Sequence, residues 1–217
     1  MNKRFLLLNN KSSNHGGYKA SNNFLNILKT EYNINHYTRS VIKNSRLNYI
    51  KLKIYYLLNT LIWKFTSKFY NVSITIPAFN FKFKKKFNHY NLIIFQYINE
   101  FISLKFIEKQ SKKKLFFFLH DEWLFNGIFH FKDAKVMQKY KFLKFIDNYY
   151  LNKKKKIFLQ LENVTIIGNC KWITKKAKKS SVLNNAKYLT IYNSVDINFF
   201  RRDASINYKK KFGLDTS

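Results

Sequence analysis

The sequence is poor in the residues that cross-link and punctuate a chain: one cysteine, one proline and five glycines among 217 residues. A lone Cys170 excludes an intrachain disulfide and a cysteine-based zinc cluster, and it suits a reducing, cytoplasmic compartment. No G-x-G-x-x-G, H-E-x-x-H or G-x-S-x-G occurs, so metal catalysis is not expected and no cofactor is implied. No stretch of 18 uncharged apolar residues is present, which argues against a transmembrane helix. Met1–Asn10 begins with basic residues but holds only a short leucine run, too brief for a signal-peptide core.

Acidic residues are scarce as well. Eleven Asp+Glu stand against 41 Lys+Arg, a formal net charge of +30. Such an excess points to nucleic acid or an anionic membrane surface. Lys, Asn, Ile, Phe and Tyr are also the residues favoured by AT-rich codons, so coding bias is a competing source of the charge. What the chain has in quantity is apolar material, 46% hydrophobic and 19% aromatic, enough for a substantial core and contrary to overall disorder.

Short apolar runs predict strands at Arg4–Leu8, Ile34–Val41, Asn91–Phe95, Leu115–Leu119, Val164–Ile167 and Leu189–Ile191. Amphipathic spacers predict helices over Tyr18–Leu28, Arg46–Phe69, Phe101–Lys109, Met137–Leu151 and Lys171–Lys179. This alternation is the pattern of an α/β, doubly wound, mostly parallel Rossmann-like sheet in one domain. Asn71–Pro77 is a β-branched stretch ended by the only proline. Phe81–Lys86 interleaves Phe and Lys and reads as an exposed basic loop, or as a footprint for single-stranded nucleic acid, although no RNP octamer accompanies it. Lys153–Lys156 reads as a solvated charge run. The basic, amphipathic Arg46–Phe69 has two readings, a helix packed on the sheet or projecting from it, and a helix lying on anionic lipid.

The stretch Leu115–Phe131, LFFFLHDEWLFNGIFHF, organises the rest. Functional groups in open α/β sheets collect just past the carboxyl ends of strands, which is where His120 and Asp121 fall. His120 has a free pKa near neutrality and suits a proton donor or a hydrogen-bonding contact, while Asp121 can orient a hydroxyl or accept a proton. Trp123 and His130 read as structural, filling a gap and satisfying a turn. Gly16–Gly17, opening a helix after the first strand, either lets a phosphate approach the helix N-terminus or serves only a turn.

The stretch H-D-E-W-L-F-N-G-I-F-H-F resembles the H-D-x-W-x-F-T-G-G-C-H-Y segment of a bacterial subgroup of family 4 glycosyltransferases, with His120, Asp121, Trp123, Phe125, Gly127 and His130 matching. Asn91–Ser103 is similar to that family's D-I-I-N-L-H-W-I-N-G-F-I-S, Val164–Leu183 to I-x-I-V-x-P-S-x-W-L-x-x-x-A-x-x-S-x-L-F, Ile191–Phe200 to I-P-N-G-I-D-x-x-x-F, and Lys209–Leu214 to R-x-x-L-G-L. Departures fall at Gln96, Glu100, Ile128–Phe129, Asn169–Cys170 and Ser194, in place of His, Gly, Gly-Cys, Pro-Ser and Gly.

The resemblance implies the acceptor-side, N-terminal domain of a retaining, metal-independent GT-B glycosyltransferase of polysaccharide or lipopolysaccharide assembly. This domain is expected over residues 1–200, with 46–90 a variable helical and basic excursion. It implies catalytic roles for His120 and Asp121, approach of the donor diphosphate or sugar to Gly16 and Gly17, and cleft positions for Gln96, Asn99, Trp123 and Asn169. Expected ligands are a nucleotide-sugar and a saccharide or lipid-linked acceptor. Residues 201–217 would begin a linker to a donor-binding domain that the sequence does not contain. The chain is thus expected to be truncated or split, inactive alone and complemented by a separate chain, with peripheral contact on the inner face of a membrane. The alternative class is a non-catalytic basic protein binding nucleic acid or a membrane surface, nucleic acid being the less expected partner.

Overall fold

Apolar runs too short for stable helices pair as strands here, and the longer amphipathic stretches between them become the crossovers. In a computed structural model the described residues are 4–9, 16–38, 46–65, 72–74, 87, 89–99, 101–131 and 141–195. In chain order they form β1 (Arg4–Asn9), α1 (Gly16–Lys29), β2 (Asn33–Thr38), α2 (Arg46–Phe65), β3 (Leu92–Gln96), α3 (Leu104–Glu108), β4 (Lys114–Leu119), α4 (Lys141–Leu159), β5 (Asn163–Gly168), α5 (Lys171–Lys178) and β6 (Lys187–Thr190).

The six strands make one all-parallel sheet in the order β2-β1-β3-β4-β5-β6. Chain direction across the sheet reverses between β1 and β3, so a crevice opens there at the carboxyl edge. Strand alternation sends Leu6, Leu8, Ile93, Phe95, Leu115, Phe117, Val164 and Ile166 to one face, where they pack with Leu104 and Ile107 of α3, Ile157 and Phe158 of α4, and Ile173 and Ala177 of α5. Leu7, Ile34 and Ile94 point to the other face, under Leu25, Phe24 and Leu28 of α1. With helices on both faces the sheet is doubly wound, as its pattern predicts.

Boundaries shift where packing overrides local pattern. Ser103 caps α3, its hydroxyl accepting from Phe106 N–H, so that helix starts three residues later than its apolar residues suggest. Val72 forms no sheet strand but an isolated antiparallel bridge to Phe129. The largest correction concerns Lys153–Lys156. The run lies inside α4, which continues to Leu159; Lys155 and Lys156 are solvated as expected, but Lys154 is 0% exposed. Phe81–Lys86 and residues 201–217 lie outside the described residues, as do 66–69 of the expected second helix.

Candidate functional site

The carboxyl ends of β1, β3, β4 and β5 bring together much of what the sequence singles out. Asn9 pairs with Gln96, Gln96 with Phe118, and Leu119 with Gly168. Gln96, His120 and Asn169 therefore close three neighbouring strands, and the Asn169 N–H donates to the Leu119 carbonyl at 3.3 Å. Gly16 and Gly17 open α1, whose first N–H groups have no acceptor within the helix. α1 follows β1 after six residues, so its N-terminus stays near the same edge.

His120 and Asp121 diverge. Alternation puts His120 on the face shared with Phe116 and Phe118, the α1 side. Its ring stacks on Tyr97 (centroids 4.5 Å, interplanar 17°) and on Phe118 (5.3 Å, 26°). Its buried Nε2 has no hydrogen-bond partner among the described residues. Burial pushes its pKa down to about 4, against the pull of the neighbouring Asp121 charge. At neutral pH it is an uncharged imidazole, which fits a hydrogen-bonding contact better than an imidazolium acid. Tyr97 holds φ at 47°, a left-handed conformation rare for an aromatic residue and typical of sites where geometry is imposed. Its phenol is pushed up to about 12 by burial and by Asp121.

Two more buried polar atoms on the α1 side lack partners among the described residues: Gln96 Oε1 and Ser21 Oγ. Gln96 is 1% exposed and Ser21 fully buried. Gln96 shares its face with Ile94, and Ser21 lies one turn before Leu25, toward the start of α1. Ser194 Oγ is unpartnered too, and the Ser194 carbonyl accepts from Asn23 of α1 at 3.5 Å. Buried polar groups in folded proteins are nearly all hydrogen-bonded. These unpartnered atoms lie along α1 and the adjacent strand ends.

Asp121 faces the opposite situation. Its Oδ2 lies 2.6 Å from His130 Nδ1, and its Oδ1 accepts from Trp123 N–H at 2.9 Å. Burial alone raises a carboxyl pKa, but the His130 hydrogen bond and charge, the Trp123 N–H and His120 together outweigh it and hold Asp121 below its ordinary value. His130 Nδ1 donates to the ionised Asp121. His130 Nε2 lies 2.8 Å from the Ser73 hydroxyl. Ser73 Oγ in turn accepts from Asn99 Nδ2 at 3.0 Å, and that amide is 3.4 Å from His130 Nε2.

Hydroxyl, imidazole and carboxylate follow the order that activates serine nucleophiles. Here the chain is a clamp rather than a nucleophile. Ser73 is 3% exposed, its hydroxyl is engaged on both sides, and its carbonyl accepts from the Trp123 indole at 2.9 Å. Asn99 and Trp123, expected to line a cleft, belong to this clamp. Both also border a cavity of about 30 Å³ with Tyr97, His120 and Asp121, room for about two waters, so His120 and the clamp meet at this cavity.

Below the clamp sits Lys154, which was not among the expected site residues. Its ammonium donates to the carbonyls of Trp123, Asn126 (2.8 Å) and Gly127 (2.8 Å), and lies 3.6 Å from the Trp123 ring centroid. Three N–H bonds thus meet three acceptors. Burial lowers its pKa well below the ordinary lysine value, opposed by Asp121 and Asp147. Asp147 accepts from Ile128 N–H at 2.7 Å, and a Cβ on Gly127 would lie 1.9 Å from the Asp147 carbonyl oxygen. The glycine is thus required by close approach of α4 to the loop. Glu122 pairs with Lys176 of α5, fixing the loop's other side. Among the described residues no three His, Cys, Asp or Glu side chains converge as metal ligands.

Comparison of the chain with protein-family models, curated proteins and solved structures finds no match. The likeness to family 4 glycosyltransferases stands on its quoted motifs alone.

Proposed function

We propose that this domain forms the acceptor-side wall of a sugar-transfer cleft in a retaining, metal-independent glycosyltransferase that moves a hexosyl group from a nucleotide-sugar to a saccharide or lipid-linked acceptor. The observation that carries the reading is the set of buried, unpartnered polar atoms on the α1 side, Ser21 Oγ, Gln96 Oε1 and His120 Nε2. A hydroxyl-rich ligand satisfies such groups, and a neutral imidazole at the end of β4 can donate to or accept from a sugar hydroxyl without carrying charge. The N–H groups of Gly16 and Gly17 suit the diphosphate. The order of motifs along the chain supports the same assignment.

In this reading His120 touches the sugar, while Asp121 is a positioning group, turned away and held by His130. Equilibrium binding tests it, with UDP-glucose, GDP-mannose and a methyl hexoside as probes. Wild type is expected to bind at least one of them saturably, and His120→Phe and Gln96→Leu to lose that binding while keeping the fold. Variants that bind as wild type does would refute a sugar-contacting role for this edge.

A further inference from the structure

Among its described side chains, α2 buries one side. Tyr55 is buried, Asn59 is half-buried and accepts from Ile74 N–H at 3.2 Å, and Ile62 packs on the Val72, Ile128, Phe129 and Leu143 cluster. At the helical period these three share one side. Ile50, Ile54, Leu57, Leu58 and Leu61 fall together on another, within a stripe about 100° wide. All five are exposed, from 42% at Leu58 to 61% at Leu57. Scattered exposed apolar residues are ordinary, but a continuous aliphatic stripe marks an interaction surface.

The stripe's surroundings select what covers it. Exposed Lys53 and Lys64 run along one border, and the helix carries Arg46 and Lys51 as well, without a single Asp or Glu. The occupant must be apolar toward the stripe and anionic toward its edge. A second copy brings another +30 charge and the same lysine border, so it is repelled. Single-stranded nucleic acid is bound by aromatic stacking, and this stripe is aliphatic. A bilayer with acidic lipids supplies both an acyl boundary and negative headgroups.

We propose that α2 docks the protein on an anionic membrane surface, with the Ile50–Leu61 stripe in the acyl boundary and Lys53 and Lys64 among the headgroups. No described helix is long and apolar enough to cross a membrane, so α2 lies in the interface plane. The proposal rests on α2 alone and stands whether or not the sugar-transfer reading does.

Co-sedimentation of the full chain with phosphatidylcholine vesicles carrying about 30 mol% phosphatidylglycerol tests it. Binding is expected to these vesicles, to weaken with salt and to be far poorer to phosphatidylcholine alone. Leu57→Asp combined with Leu61→Asp is expected to reduce binding about tenfold or more at unchanged circular dichroism. Lys53→Glu with Lys64→Glu, which spares the stripe, weakens it in the same direction. Phe145→Asp, at the 77%-exposed aromatic of α4, leaves it unchanged. Absence of binding, equal binding to neutral vesicles, or full binding by both double variants would overturn the proposal. So would a wild-type dimer that the Leu57→Asp/Leu61→Asp variant converts to a monomer without any vesicle binding.

Discussion

His120 and Asp121 are neighbours in sequence and opposites in circumstance. On the α1 side, His120, Gln96 and Ser21 hold buried polar atoms with no hydrogen-bond partner among the described residues. On the other side, Asp121, His130, Ser73, Asn99, Trp123 and Lys154 fill almost every donor and acceptor they offer. Each orphaned buried polar group in a folded protein calls for an explanation. The saturated side is the support, and under the proposed function the unsaturated side meets the ligand.

Mutations on the two sides should then differ in kind. Lys154→Met is expected to be the most damaging, because it strands three buried carbonyls at once; a loss of about 3–5 kcal/mol in denaturant unfolding is the expected scale. His130→Ala leaves the buried Asp121 carboxylate without its main partner and should cost about 2–4 kcal/mol in the same measurement. Ser73→Ala removes a single hydroxyl from the clamp and should cost about 1 kcal/mol. A Lys154→Met protein as stable as wild type would break the comparison at its strongest point.

His120→Phe should change stability at neutral pH least, by about 1 kcal/mol or less, since it keeps the stacked ring and removes an unsatisfied nitrogen. Its signature lies in acid. The folded-state pKa of about 4 is below the unfolded value of 6.5, so the unfolded chain takes up the proton first as pH falls. Stability from neutral His120 is complete above 6.5 and is lost as pH falls from there toward 4. The variant should show a flatter decline across that window. Some slope will remain, because burial, and after it Lys29, hold the His36 imidazole below its ordinary value as well.

The sheet was legible because each strand is a short apolar run with a polar end, as in Leu115–Leu119 followed by His120–Asp121. Part of the unsaturated side was legible for the same reason: Gln96 and His120 follow directly from where their strands stop, whereas Ser21, inside α1, was not singled out. The clamp was not. Ser73 and His130 are 57 residues apart, on segments that meet at an isolated bridge between Val72 and Phe129, and nothing local marks them as partners. Lys154 hides inside four consecutive lysines. The one available signal was helical phase, since Leu143, Asp147, Lys154 and Ile157 recur on one stripe once α4 is carried through the run.

The central claim is that the α1 side takes the ligand while the clamp stays still. Imidazole nitrogen signals of His120 and His130, followed by NMR as UDP-glucose or GDP-mannose is added, test it most directly. The account predicts that His120 Nε2 shifts with saturation while His130 stays in place. A shift confined to His130, with His120 unmoved, would contradict it.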